Sequence, residues 1–361
     1  MNISEFTHYT IGCILRDYKS IFYYIRHCMD NKSVHPGITN VLPYISMLVY
    51  EGNKFLKRNG IIKIDSELED DIRKLNHFRS MGIKLYSEFN LKQYCALNDF
   101  NKNEYEKFYK KAYPLSKVHL VREVNNYFLH TVNGILIGNY HLYAQKIFET
   151  EIGSYNDNIS VWVGDYTYLV SHFISSILSI FEVDMISPQD IKGLKFDDKY
   201  VDINMAYAYK NFSIQDNPPI LMALLDLVCN LNFFENIFSE INKDLVLDLK
   251  LKYCVIFYSI LSIKKILEFC ISHDFAIDKS AEFYRYVVDL ESQYVCNRLR
   301  VVCMHYDLEE NSIEEFKSDP FKEQFENVLG KDLWGCKDKI SKVLKELSEE
   351  LNDFVIKKGF Y

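Results

Sequence analysis

The segment Asn297-Arg298-Leu299-Arg300-Val301-Val302-Cys303-Met304-His305-Tyr306-Asp307 places two arginines and a histidine close together in the chain. Metal-independent cleavage of RNA needs this equipment. A base must take the proton of the 2′-hydroxyl, an acid must protonate the leaving 5′-oxygen, and a cation must stabilise the charge growing on the phosphorus oxygens. Imidazole titrates in the range both proton transfers require, and a guanidinium offers two donors at once to a phosphate.

Apolar periodicity predicts one helix over Ala281–His305, with Phe283, Val287, Leu290, Tyr294 and Val301 on one stripe. At roughly 100° per residue, Arg300 and His305 then stand about 140° apart, whereas Arg298 and His305 nearly share a face. Helical geometry alone therefore favours Arg298 as the partner of His305. The other elements read in the same way. Helical spacing covers Phe6–Met29, Asn40–Arg58, Ser66–Phe89 and Asp244–Ser272. Asp319-Pro320 opens a helix that Gly330 closes, and Ile340, Val343, Leu344, Leu347, Leu351, Phe354 and Val355 mark an amphipathic last helix, fitted either to the core or to a dimer interface.

Between Val132 and Val170 the pattern changes. Gly134, Gly138, Gly153 and Gly164 punctuate segments rich in β-branched and aromatic residues (Ile135–Ile137, Ile159–Val163, Tyr166–Val170), which predicts a small β-containing insert. Pro188, Gly193 and Asn217-Pro218-Pro219 make 184–217 the best candidate for a junction. The expected organisation is thus mainly α-helical, with one domain over 1–214 carrying the insert near 132–170 and a second helical bundle over 215–361.

A net charge of −8 argues against a protein that coats nucleic acid nonspecifically, although a local basic cleft is compatible with it. Nine cysteines scattered singly, with no Cys-x-x-Cys pair, fit small hydrophobes in a reducing compartment and give no metal-ligand spacing. The start of the chain lacks a basic segment followed by an apolar run, and the stretches Tyr168–Phe181 and Tyr253–Ile263 are short for a bilayer, so a cytoplasmic location is expected. No Gly-x-Gly-x-x-Gly, Gly-Lys-[Ser/Thr] or Gly-x-Ser-x-Gly motif occurs, so no cofactor is expected.

Arg300-x4-His305, followed by Tyr306-Asp307, resembles the Arg-x4–6-His motif of the HEPN superfamily, and Arg298-x6-His305 fits its looser spacing. The resemblance covers about 215–361 and departs from the family at Val301, where a polar residue is usual. It implies a small helical bundle, often dimeric, in which paired motifs form a composite metal-independent ribonuclease site. His305 would be the acid/base and Arg300 the phosphate binder. A second segment, Arg122-Glu123-Val124-Asn125-Asn126-Tyr127-Phe128-Leu129-His130, resembles the same motif with Asn125 in place of the arginine and Asn126 at the polar position, as a degenerate copy would. Before it runs the basic stretch Lys107, Lys110, Lys111, Lys117, His119 and Arg122, interleaved with Tyr105, Phe108, Tyr109 and Tyr113, a composition suited to single-stranded bases or to a solvated helix face. The implied setting is bacterial defence or a toxin system, with RNA as substrate and a second copy or a cognate defence protein as partner. The alternative is a noncatalytic helical module that binds a nucleotide or a partner protein.

Overall fold

The structure, a computed structural model, describes residues 5–30, 35–63, 66–86, 90–96, 98–99, 103, 126–139, 155–184, 197–204, 212, 214, 217–273, 280–306 and 320–356. Their order is α1 (Glu5–Asp30), α2 (His35–Arg58), α3 (Ser66–Tyr86), β1 (Asn126–Val132), β2 (Ile135–Asn139), α4 (Tyr155–Ile180), β3 (Asp198–Asn204), α5 (Pro218–Phe233), α6 (Leu245–Ser272), α7 (Ser280–Tyr294), α8 (Asn297–Met304), α9 (Pro320–Leu329) and α10 (Leu333–Val355). The chain is mainly α-helical, as its periodicity predicts. A π-turn, Phe234–Phe238, and the short helix Ser239–Ile241 extend α5.

The β portion is a three-stranded antiparallel sheet in the order β2-β1-β3. Asn133 (φ 52°) and Gly134 (φ 80°) form the two-residue turn between β1 and β2, in the left-handed conformation that matches the twist of paired strands. Edge strand β2 is not left bare. Asn40 of α2 donates to the Ile137 carbonyl at 2.9 Å, and Asn232 of α5 donates to the Leu136 carbonyl at 2.8 Å. These buried amides satisfy backbone acceptors that would otherwise be costly to desolvate.

Two sequence expectations fail here for one reason, that packing overrides local propensity. Ile159–Val163 and Tyr166–Val170 belong to helix α4 and not to the sheet. Val163, Tyr166, Val170, Phe173, Ile174 and Ile177 are all buried, which is helical spacing written partly in β-branched residues. Conversely, Asn126–His130 lies on β1, so this part of the segment forms no second helical motif.

The cores of the two expected domains are continuous. Residues of α1, α2 and α4 share one buried cluster with α5, α6 and α10. Phe212 bridges to Ile356 next to the end of α10. The apolar stripe of α10 is buried against α5 and α6, which settles the choice between core and dimer face in favour of core. Pro218–Ile241 is long and apolar enough to cross a membrane, and it is mostly buried inside the fold. Asp226, Asn230 and Asn232 are polar residues within it that face the interior.

Candidate active site

The predicted Ala281–His305 helix is two helices. α7 ends at Tyr294, and α8 starts after Cys296, which has extended backbone (φ −118°, ψ 108°). Tyr253 of α6 fills the break. Its hydroxyl accepts from the Cys296 backbone N–H at 3.1 Å and donates toward the Tyr294 carbonyl at 2.9 Å, replacing bonds that a continuous helix would make. α8 is short, and His305 has already left it, with φ −125° and ψ 150°.

The wheel geometry therefore does not apply, and its preference for Arg298 is corrected. Arg298 is exposed. Arg300 is half-buried, with its Nη1 3.4 Å from His305 Nε2. Its guanidinium also lies 6.0 Å from the centroid of Phe257 and bonds the Tyr258 side chain. Burial, with Cys254 adding to it, pushes the Tyr258 hydroxyl up to about 12 despite that arginine, so at neutral pH it is a neutral hydrogen-bonding group.

The other half of the site comes from helices in which the sequence showed no motif. Glu51 of α2, with 4% of its side chain exposed, puts Oε2 3.4 Å from His305 Nδ1. Its Oε1 is 3.0 Å from Arg79 Nη2 of α3, and Lys54 approaches at 3.5 Å. Arg79 also stacks over Tyr50 at 4.5 Å. Burial raises the Glu51 carboxyl, but the His305 hydrogen bond and the charges of His305, Arg79 and Lys54 outweigh it and hold the group below its ordinary value. Glu51 is thus an anion at neutral pH. Because a guanidinium only donates, Arg300 selects the His305 form with a free lone pair on Nε2, which puts the proton on Nδ1, facing Glu51.

Gly52 lets α1 and α2 come close beside Glu51. A Cβ there would stand 2.7 Å from the Tyr18 hydroxyl, which donates to the Val49 carbonyl. Behind His305, Tyr306 donates to Asp17 of α1 at 2.6 Å, and Lys250 of α6 pairs with the same carboxylate oxygen. Lys250 sits over the rings of Tyr306 and Phe321. A cavity of about 20 Å³ lies among Cys13, Lys250, His305 and Tyr306, large enough for about one water. The extended segment carrying His305 is therefore pinned on one side by Glu51 and on the other by Asp17.

Of the remaining candidate residues, His130 does not join this site. His130 is fully buried in the sheet, opposite Gly138 and Tyr200, so it cannot touch RNA, and burial pushes its imidazole down to about 4. Asn126 opens β1 opposite Asn204. Arg122, Lys110, Lys111 and the rest of the basic stretch lie outside the described residues.

The depressed His130 value has a measurable consequence. With the folded value near 4 against 6.5 unfolded, its contribution is complete above the unfolded value and is lost as pH falls toward 4, because the unfolded chain gains the proton first. Going from pH 7 to pH 5.5 should remove about 1 kcal/mol of stability through this residue. Urea midpoints should fall less over that interval in His130→Gln than in wild type, and equal falls would contradict the assignment.

Comparisons with family models, curated proteins and solved structures return no match.

Proposed function

We propose that this chain is a HEPN-type, metal-independent endoribonuclease acting in bacterial defence or as a toxin, with RNA as substrate, in the cytoplasm. The observation that carries the reading is the Glu51–His305–Arg300 arrangement, in which a carboxylate holds one imidazole nitrogen and a guanidinium stands at the other.

The chemistry follows from these groups. The carboxylate of Glu51 orients the ring and stabilises the imidazolium that forms when Nε2 takes the 2′-hydroxyl proton, the logic by which a buried acid supports a catalytic histidine. The 2′-oxygen bonds to phosphorus, the P–O5′ bond breaks, and the products are a 2′,3′-cyclic phosphate and a 5′-hydroxyl end. Arg300 neutralises the developing charge on the phosphorus oxygens. The 5′-oxygen takes a proton from an imidazolium, that of His305 after the first transfer or that of a second copy. Arg79 adds positive charge beside Glu51, so the N-terminal half contributes through α2 and α3.

Purified protein incubated with total RNA or tRNA in EDTA tests the reading. Cleavage by wild type that His305→Ala and Arg300→Ala both remove supports it. Absent cleavage, or cleavage unchanged in both variants, overturns it in favour of the noncatalytic module.

Glu51 is a positioning residue in this account. Glu51→Gln is expected to lower kcat by about 10²-fold or more with KM for RNA little changed, because the neutral amide neither fixes the tautomer nor stabilises the imidazolium. A rise in KM at constant kcat would contradict that role.

A further inference from the structure

A larger cavity, of about 310 Å³, is walled by one face of α1 and by the turn that follows the α5 extension. Arg16, Lys19 or Ser20, Tyr23 and His27 recur at helical spacing and so share that face. The opposite wall is Ile241–Asp244, and its backbone is fixed. The Asn242 N–H donates to the Phe238 carbonyl at 2.8 Å, its side chain donates to the Asp244 carbonyl at 3.0 Å, and its oxygen accepts from the Asp244 N–H at 3.3 Å.

The charge lining this cavity opposes that of the whole chain. Arg16, Lys19 and Lys243 are cations and Asp244 is the acid among them; Arg16 is already paired with Asp17, its Nε 3.9 Å from Oδ1, which leaves the two lysines as the uncommitted charges of the lining. The Asp244 carboxylate is engaged as the N-cap of α6, accepting from the Leu247 N–H at 2.7 Å. Lys243 donates to the Ser239 carbonyl, an uncharged acceptor, and Lys19 lies over the Tyr23 ring at 5.9 Å. A protein of net charge −8 thus presents a pocket with an excess of positive charge. Tyr23, Tyr24 and Ile241 give it apolar surface beside those cations. Small-ligand sites combine a mainly apolar wall with a few polar groups, in volumes of roughly 300–1,000 Å³, and this volume is much larger than a lone phosphate needs.

We propose that this cavity binds a nucleoside phosphate, with the phosphate held by Lys19 and Lys243 and the nucleoside against Tyr23. The two ammonium groups supply the charge-assisted bonds to phosphate, and the aromatic wall supplies a face for the base. The proposal stands apart from the ribonuclease reading, since none of these side chains bonds His305, Glu51 or Arg300.

Calorimetric titration of the full chain with AMP, inorganic phosphate and a short single-stranded oligonucleotide tests it. AMP should bind at least about tenfold more tightly than phosphate, and Lys19→Glu with Lys243→Glu should weaken AMP at least about tenfold. Tyr23→Ala should narrow the gap between AMP and phosphate, and His305→Ala should leave AMP binding intact. Thermal melting of each variant without ligand checks that it folds, and Lys19→Gln with Lys243→Gln gives a milder pair should charge reversal unfold the chain. No heat with AMP at about millimolar concentration, equal affinity for AMP and phosphate, binding of the oligonucleotide alone, or unchanged AMP affinity in both lysine pairs would overturn the proposal.

Discussion

Asp17→Ala is expected to cost the fold about 3–5 kcal/mol, read as a drop in the urea midpoint, because it strands a buried ammonium. The side chains of Lys250 and Asp17 are only 3% and 1% exposed. Removing the carboxylate leaves that charge without its counter-ion and the Tyr306 hydroxyl without its acceptor. The cost arises from the uncompensated charge and not from a large favourable energy of the pair, so removing both charges should be far milder. Asp17→Asn with Lys250→Met is accordingly expected to recover most of the loss. A double variant as unstable as Asp17→Ala would contradict this explanation. Since Tyr306 follows His305 directly, the same substitution should also weaken the site.

His305→Ala is expected to lower the rate of RNA cleavage by about 10²–10⁴-fold, the usual contribution of a positioned acid or base. Arg300→Ala should cost about 10²–10³-fold through lost stabilisation of the phosphate charge. Arg298→Ala separates the two arginines. Arg298 is exposed, whereas Arg300 stands 3.4 Å from the imidazole, so Arg298→Ala should leave kcat near wild type. A kcat loss in Arg298→Ala equal to that in Arg300→Ala would mean that the segment acts as a continuous helix after all.

The amphipathic helices were legible because their burial is one-sided, whereas α5 and the first half of α6 are buried all round. α10 is the clearest case, since every apolar residue of its predicted stripe is buried, and the start of α6 is marked by Asp244 capping Leu247. α4 was misread because Val163 and Val170 favour strands locally, and only packing against α1 and α2 decides for the helix. His305 and Arg300 were visible as chemistry, but their geometry was not. The break at Cys296 depends on the Tyr253 hydroxyl, which arrives from 43 residues away. Glu51 and Arg79 carried no signal at all, because a single glutamate on one helix and a single arginine on another become a site only when α2 packs beside α8 and α3 packs on α2. A buried carboxylate among cations was the clue, and burial of Glu51 is a tertiary fact.

The central claim is that His305 and Arg300 cleave RNA through the 2′-hydroxyl without a metal, and the ends of the products test it most directly. RNA treated with wild type in EDTA should carry 2′,3′-cyclic phosphate and 5′-hydroxyl ends, and such ends should be missing with His305→Ala. RNA left intact by wild type, or the same ends at the same rate from His305→Ala and Arg300→Ala, would contradict it.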